Sequence, residues 1–359
     1  MVLKALNIKG FRNIKDLKID NINTNKTQIF LGMNGQGKTN ILEAIFLLAL
    51  TKSFRAKTNE ELIGFEDDFC QIDGELEDEK KMQIIITKNP KQKALRINGV
   101  KKKVTEFMGN FNAILFTPED LSQFSFSPNL RRRYLDITLT QVDSKYLEVR
   151  MKYQEILKQR NALLKSIQEG KAKASDGIYW DEQLVELGYQ ITDKRNEFIN
   201  SITKTLNKHY KSISRGGHEI KPVYVRGSKS ETKEEFFEKM QVQFENDVRG
   251  GNTRIGPHRD DLLFEIDGKD MSLYASRGEW RSLILALKLA EMEFIEEKKG
   301  SKPILLLDDV FSELDEFRQN YLLETLSGVQ TFITTTHDEF LKKNEDDIEI
   351  IKIENGKIM

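Results

Sequence analysis

The chain of 359 residues carries one cysteine, Cys70. That excludes an internal disulfide framework and suits a reducing compartment. Long hydrophobic runs are missing too. The longest unbroken apolar stretch, Ala44 to Leu50, falls far short of the ~20 residues that a membrane helix needs. The opening residues MVLKALNIKGFRN lack the apolar core of a signal peptide. The expectation is a cytoplasmic protein with no membrane association. No excess of one charge exists either: 56 Lys and Arg stand against 57 Asp and Glu. Any contact with a polyanion must therefore come from local patches. Internal repeats and low-complexity linkers are absent. What is present is a 38% apolar, 31% charged composition of the kind that folds in water, with length enough for two domains.

Periodicity divides the chain into three stretches. The first hundred residues read as strands, among them Val2 to Ile8, Gln28 to Leu31, and a hairpin of Met82 to Thr87 with Ala94 to Ile97. One helix starts at Thr39; it is apolar nearly all round, which predicts burial. From about Leu130 to Ile167, and again from Trp180 to Leu206, apolar residues recur every three or four positions. These stripes predict an antiparallel helical hairpin joined by the polar segment Glu169 to Gly177. Two helices packed on a core and a protruding lid are equally compatible with that pattern. A shorter helix is expected over Glu231 to Phe244. Strand signals return at Leu262 to Ile266, Pro303 to Leu307 and Thr331 to Thr335, with a strong helix over Arg281 to Glu297.

Residues Gly32, Met33, Asn34, Gly35, Gln36, Gly37, Lys38 and Thr39, followed by Asn40, match G-x-x-x-x-G-K-[ST] between a strand and a helix. Glycines let the backbone curl so that N–H groups face phosphate oxygens, and the helix start adds a favourable dipole. Lys38 is expected to bridge the β- and γ-phosphates of ATP, and Thr39 to offer its hydroxyl to Mg2+. The apolar run Ile304 to Leu307 ends in Asp308 and Asp309. In a parallel sheet such a strand end lies near the phosphate loop. Asp308 is then the expected metal ligand and Asp309 the residue that polarises the attacking water. Because these pieces come from opposite ends of the chain, the ATPase domain must be split around an insertion. Ser276-Arg-Gly278, just before a helix, has two readings: a helix N-cap or a nucleotide-contacting motif. His337, after the strand that follows Asp309, is a candidate for the γ-phosphate.

These motifs, together with Phe11-Arg12-Asn13, Phe116-Thr-Pro-Glu-Asp-Leu121, Arg131-Arg-Arg-Tyr-Leu-Asp136, Gly256-Pro-His-Arg-Asp-Asp261 and Leu307-Asp-Asp-Val-Phe-Ser-Glu-Leu-Asp315, make the chain resemble the RecF family of ABC/SMC-type ATPases over nearly its full length. The resemblance implies an α/β fold: an ABC-type P-loop ATPase head in two halves, residues 1–115 and 251–359, with a mainly helical lid over 116–250. It further implies an ATP-dependent homodimer that binds DNA in recombinational repair and replication restart, and a weak DNA-stimulated ATPase. DNA structure rather than sequence would be recognised, with single-strand/double-strand junctions as the expected target. Partners of the RecR/RecO type follow from the same likeness. So does a role in trans for Ser276 and Gly278, on the nucleotide of a second copy.

The chain departs from the family pattern at Glu279, where Gln is usual, and a carboxylate there would repel a γ-phosphate unless Arg277 or Arg281 offsets it. Gln123 is not fixed as the Q-loop residue by its spacing. For DNA, the basic run Lys80 to Lys103, ending in Lys101, Lys102 and Lys103, and the trio Arg131, Arg132 and Arg133 are the candidates. Lysines protecting a strand edge are the competing explanation for the first. Two other functions share the phosphate loop: the ATP-hydrolysing subunit of a transporter, and an ATP-gated scaffold that does not hydrolyse.

Overall fold

A computed structural model describes residues 2–24, 26–214, 216–336 and 348–359. Strands β1 (Leu3–Phe11), β2 (Ile14–Ile19) and β3 (Thr27–Leu31) precede helix α1 (Lys38–Leu50). Strands β4 (Phe69–Leu76), β5 (Lys81–Thr87), β6 (Gln92–Ile97) and β7 (Val100–Lys101) follow, then α2 (Val104–Phe107), β8 (Ala113–Phe116) and α3 (Pro118–Gln123). The middle of the chain holds α4 (Pro128–Val142), α5 (Ser144–Gln168), α6 (Ile178–Ser214), β9 (Ile220–Val225) and α7 (Lys233–Gly250). Next come β10 (Asp261–Ile266), β11 (Lys269–Asp270), α8 (Met271–Tyr274), α9 (Arg277–Lys299) and β12 (Ile304–Asp308). Helix α10 (Glu316–Thr325) and strands β13 (Thr331–Thr335), β14 (Ile348–Glu354) and β15 (Lys357–Ile358) close the chain. Two compact units result: Met1–Ser122 with Arg281–Met359, and Gln123–Trp280. Residues 251–280, grouped with the head in the sequence division, lie in the second unit.

The first unit contains two six-stranded sheets. One runs β2-β1-β4-β5-β6-β7 and is antiparallel; the other runs β15-β14-β3-β13-β12-β8, with every pairing from β14 to β8 parallel. Helix α1 packs on strands of both sheets. Its residues from Ile41 to Leu50 are all buried, as its all-round apolarity predicts. Strands β12 and β13 read as continuous apolar or small-polar runs because both of their faces are covered.

In the second unit the stripe over Leu130 to Ile167 is two helices rather than one. The chain breaks at Asp143, which takes an extended conformation and caps α5 by accepting from the Tyr146 amide at 3.0 Å. Helices α5 and α6 pack together as a hairpin, with α7 against both. The expected short helix over Glu231 to Phe244 is longer, reaching Gly250, because Gly251 supplies the left-handed C-cap. Strand β10 pairs with β9 and β11 in a separate three-stranded sheet.

Charge is unusually deep in this unit. Arg160, fully buried, bonds Asp181 and Asp247 (2.7 Å to the latter), tying α5 to α6 and α7. Arg195 spans Asp136 at 2.7 Å and Asp260 at 3.0 Å. Burial alone would raise the Asp136 carboxyl, but Arg195 and Arg150 outweigh it and hold the group below its ordinary range. Buried ion pairs of this kind add little net stability, yet losing one partner is costly, so they fix which helices pack together.

Candidate functional site

Strand β3 delivers the chain into the loop Gly32–Gly37, and α1 begins at Lys38. The loop's shape depends on glycine at both ends. Gly37 has φ +105°, and a Cβ there would lie 2.9 Å from Asn13 Oδ1. A Cβ on Gly32 would meet the Ile353 carbonyl oxygen at 2.3 Å. No L side chain fits either place without displacing backbone or neighbour.

Lys38 is buried, and its ammonium donates to the Gly32 and Met33 carbonyls at 2.6 and 2.9 Å. Desolvation lowers its pKa, with Asp309 and Asp308 opposing that shift. The Thr39 hydroxyl donates to Asp308 Oδ1 at 2.7 Å, and the Thr334 hydroxyl to the same oxygen at 2.7 Å. Sheet order explains the meeting: β13 lies between β3 and β12, so the ends of three parallel strands converge here. Asp309, next in sequence, takes φ +51°, a left-handed conformation that costs a non-glycine residue about 1 kcal/mol or more. Its amide is held by Thr334 Oγ1 at 3.0 Å. A carboxylate carried on this strained backbone, close enough to the buried Lys38 to act on its charge, is suited to handling charge and protons. A hydroxyl and a carboxylate already 2.7 Å apart form the partial oxygen set that Mg2+ accepts when phosphates and waters supply the rest.

The loop's surroundings were mostly missed in the sequence. Asn13 donates to the Gly35 carbonyl at 3.3 Å and accepts from Asn40 at 2.7 Å; Asn40 in turn accepts from Arg55 at 3.0 Å. Arg12 grips the fully buried Glu43 of α1 through both nitrogens, 2.8 Å for Nη2, and Ser53 also donates to Glu43. Gln36 accepts from the Asn355 amide through its side chain (2.6 Å) and from the Gly356 amide through its carbonyl (2.8 Å). The β14–β15 turn thereby braces the loop. Arg12, Asn13, Gln36 and Asn40 stood in stretches singled out beforehand, though these contacts did not; nothing local in residues 55 or 355 marks them.

Ser276 and Gly278 lie in the second unit, at the start of α9. The Ser276 hydroxyl accepts from the Glu279 amide at 3.2 Å, and the Glu279 carboxylate accepts from the Ser276 amide at 2.7 Å. This is a capping box, so the N-cap reading of Ser276 describes this conformation. It also gives Glu279 a local partner. Arg281, one of the two offsets expected for Glu279, instead pairs with Glu313 at 2.7 Å. His337 lies outside the described residues.

The DNA candidates separate. Arg131 is buried, held by Asp261 at 2.7 and 2.8 Å and by the carbonyls of Phe124 and Ser125. The expectation that Arg131 presents its charge to DNA is therefore corrected: the guanidinium packs within its own unit, and Asp261 is the anion that offsets it. Arg132 is half-buried, donating to the Asp260 carbonyl at 2.7 Å, whereas Arg133 is exposed. In the basic run, Lys80, Lys81 and Lys91 pair with Asp78, Glu75 and Glu60, and Lys102 lies 3.9 Å from Glu106. Lys93 bonds the Thr51 carbonyl at the end of α1, and burial lowers its pKa to about 8. Lys101 and Lys103 are exposed. The run is not one continuous free cationic face.

The family model described as "RecF/RecN/SMC N terminal domain" matches residues 2–359. The DNA replication and repair protein RecF of Streptococcus equi subsp. zooepidemicus is 39% identical, over 100% of this chain and 98% of its own length. A solved structure of the recombination mediator protein RecF-ATP in the RecFOR pathway superposes with TM-score 0.89 and 33% identity, covering 100% of this chain and 97% of that one. The Smc head domain of Pyrococcus furiosus, at TM-score 0.56 and 18% identity over 100% of this chain and 96% of that one, shares the fold. With its ABC-type ATPase head fold, the chain belongs to the RecF family within the RecF/RecN/SMC group.

Proposed function

We propose that this protein binds ATP with Mg2+ at the Gly32–Thr39 loop, and that ATP closes two copies on DNA during replication and repair. The observation that carries the reading is the Thr39–Asp308 hydrogen bond of 2.7 Å, which joins the phosphate-loop helix to the end of β12. The relatives' names, DNA replication and repair protein and RecF-ATP, support it at the level of the family. Gly32 to Asn40 form the phosphate cradle, with Lys38 leaving the loop carbonyls for phosphate oxygens. Thr39 and Asp308 hold Mg2+, which neutralises phosphate charge when bound. Asp309, fixed by Thr334, orients and polarises water for slow hydrolysis.

In this reading Ser276 and Gly278 act on the nucleotide of the second copy. Hydrolysis separates the two copies, so ATP sets the lifetime of the DNA-bound dimer. DNA junctions are the proposed target, RecR/RecO-type proteins the proposed partners, and His337 the residue proposed to sense the γ-phosphate. The family membership over the full chain favours this over a transporter subunit. The test is sedimentation of the protein with ATP, ADP or no nucleotide, each with and without junction DNA. Dimers confined to the ATP samples, and single turnover faster with DNA, are expected; an ATP-independent monomer would refute the clamp. Ser276→Arg is expected to keep ATP affinity and lose dimerisation. Its lost cap costs about 1 kcal/mol, so thermal melting is measured alongside.

A further inference from the structure

The turn between β14 and β15 is built against the phosphate loop. Strand β14 runs parallel to β3, with Lys352 opposite Leu31, so the two strands leave the sheet side by side. Asn355 and Gly356 then reverse the chain at φ +49° and +73°. Two successive left-handed residues make the short hairpin turn that Asn-Gly favours. Such a turn closes with the amide of the residue after it, which leaves the amides of its two central residues to other acceptors. Here both go to one loop residue: the Asn355 amide to Gln36 Oε1 at 2.6 Å, and the Gly356 amide to the Gln36 carbonyl at 2.8 Å. The far side of the turn is closed as well. A Cβ on Gly356 would lie 2.6 Å from the Asn13 carbonyl oxygen, and β15 lies against β2.

The bond from Gly356 fixes a peptide plane. The Gln36 carbonyl and the Gly37 N–H belong to one trans peptide and point in opposite directions. Gly37, at φ +105° and without a side chain, offers little resistance to a flip of that peptide. A flip would turn a carbonyl oxygen towards an anionic ligand and take an N–H away from it. The neighbouring carbonyls are already engaged. Gly32 and Met33 accept from Lys38, Gly35 accepts from Asn13 Nδ2 at 3.3 Å, and Gly37 accepts from the Ile41 amide at 3.1 Å. For Gln36 the donor is supplied by the β14–β15 turn.

We propose that the Asn355–Gly356 turn positions the phosphate site: through Gln36 it holds the Gln36–Gly37 peptide with its N–H towards the bound phosphates. This rests on the loop being a nucleoside triphosphate site. Asn355 and Gly356 are positioning residues, acting on the ligand only through Gln36. Their effect falls on the phosphate end, so ATP and inorganic tripolyphosphate lose affinity together when the turn is disturbed.

The experiment measures affinity for ATP and for tripolyphosphate, both with Mg2+, on the full chain and its variants, well below each melting temperature. Asn355→Pro removes an amide donor and cannot take a positive φ. Both ligands should then bind about tenfold more weakly, the scale of one hydrogen bond to a charged group. Asn355→Gly keeps the amide and the left-handed turn, and is expected to restore both affinities to within about twofold of the parent. Gln36→Met removes the side-chain acceptor on the loop side. Combined with Asn355→Pro it should lose no more than Asn355→Pro alone, because the two act through one contact. Additive losses, unchanged affinity in folded Asn355→Pro, or an equal loss in Asn355→Gly would each overturn the proposal. So would a loss for ATP that spares tripolyphosphate. If Asn355→Pro does not fold, Gln36→Met alone decides, and parental affinity for both ligands in that variant overturns the proposal. A parent protein that binds neither ligand would instead remove the nucleotide reading, and this proposal with it.

Discussion

The hydroxyl of Thr39 donates to Asp308 Oδ1 at 2.7 Å across 269 residues of chain. Asp308 ends strand β12 and Thr39 lies in the first turn of α1, with Thr334 on the neighbouring strand β13 bonding the same oxygen at 2.7 Å. One carboxylate thus ties both ends of the sequence to one point.

Changes at this point should separate binding from chemistry. Asp308→Asn keeps an acceptor for both hydroxyls, so its melting temperature should stay near that of the parent while Mg2+-dependent ATP affinity drops. Asp308→Ala leaves two hydroxyls without their acceptor and should cost about 1–3 kcal/mol. Lys38→Met should abolish ATP binding. Asp309→Asn should bind ATP normally and slow single turnover by at least tenfold; an unchanged rate would remove Asp309 from the chemistry.

Glu279 is expected to be replaceable by Gln but not by Ala. Glutamine can rebuild the reciprocal cap with Ser276, so Glu279→Gln should melt within a degree or two of the parent. Removing the carboxylate should also raise the dimer fraction with ATP. Glu279→Ala loses half of the cap and should be less stable by about 0.5–1 kcal/mol. Calorimetry and sedimentation on the pair check this; lower dimerisation in Glu279→Gln would show that the charge is needed.

His258 is expected to make the second unit acid-sensitive. Its Nε2 lies 3.0 Å from the Thr253 carbonyl, an acceptor only, so Nε2 carries the proton and Nδ1 accepts from Tyr153 at 2.8 Å. Burial lowers its pKa from 6.5 to about 4. Between those values the unfolded chain takes up a proton that the folded chain refuses, so stability falls as pH drops from 6.5 towards 4. The group has no effect above 6.5. The loss reaches at most roughly 3 kcal/mol. His258→Gln should be about 1 kcal/mol less stable at pH 7 and show a shallower decline in acid. Urea midpoints across that range decide it, and parallel declines for parent and variant would count against the assignment.

The basic residues should divide by their burial. Neutralising Lys101 and Lys103 to Gln is expected to reduce the slope of log affinity for DNA against log salt by up to about 2. Arg131→Gln should leave that slope unchanged and destabilise the second unit by about 3 kcal/mol, because Asp261 loses its partner. An unchanged slope for the lysine pair would return them to solvated edge residues.

The phosphate loop, the helix after it, and the double aspartate were legible because each is written locally. Gly-Lys-Thr follows a short apolar strand, α1 is apolar on every face, and β12 is an apolar run that stops at two carboxylates. The helix stripes were legible as periodicity, but not their break at Asp143, where a single capping side chain competes with a continuing pattern. The burial of Arg131 could not be read, because Asp261 lies 130 residues away and only the second unit's packing brings them together. The same holds for Gln36 and the Asn355–Gly356 turn, and for the contacts of Gly64 with Gly10 and of Asn13 with Gly35. Sequence by itself determined which residues could bind phosphate, since that depends on side-chain chemistry and spacing within one turn. Tertiary structure alone decided which distant groups brace, neutralise or border them, since those contacts exist only once strands and helices from separate parts of the chain have packed.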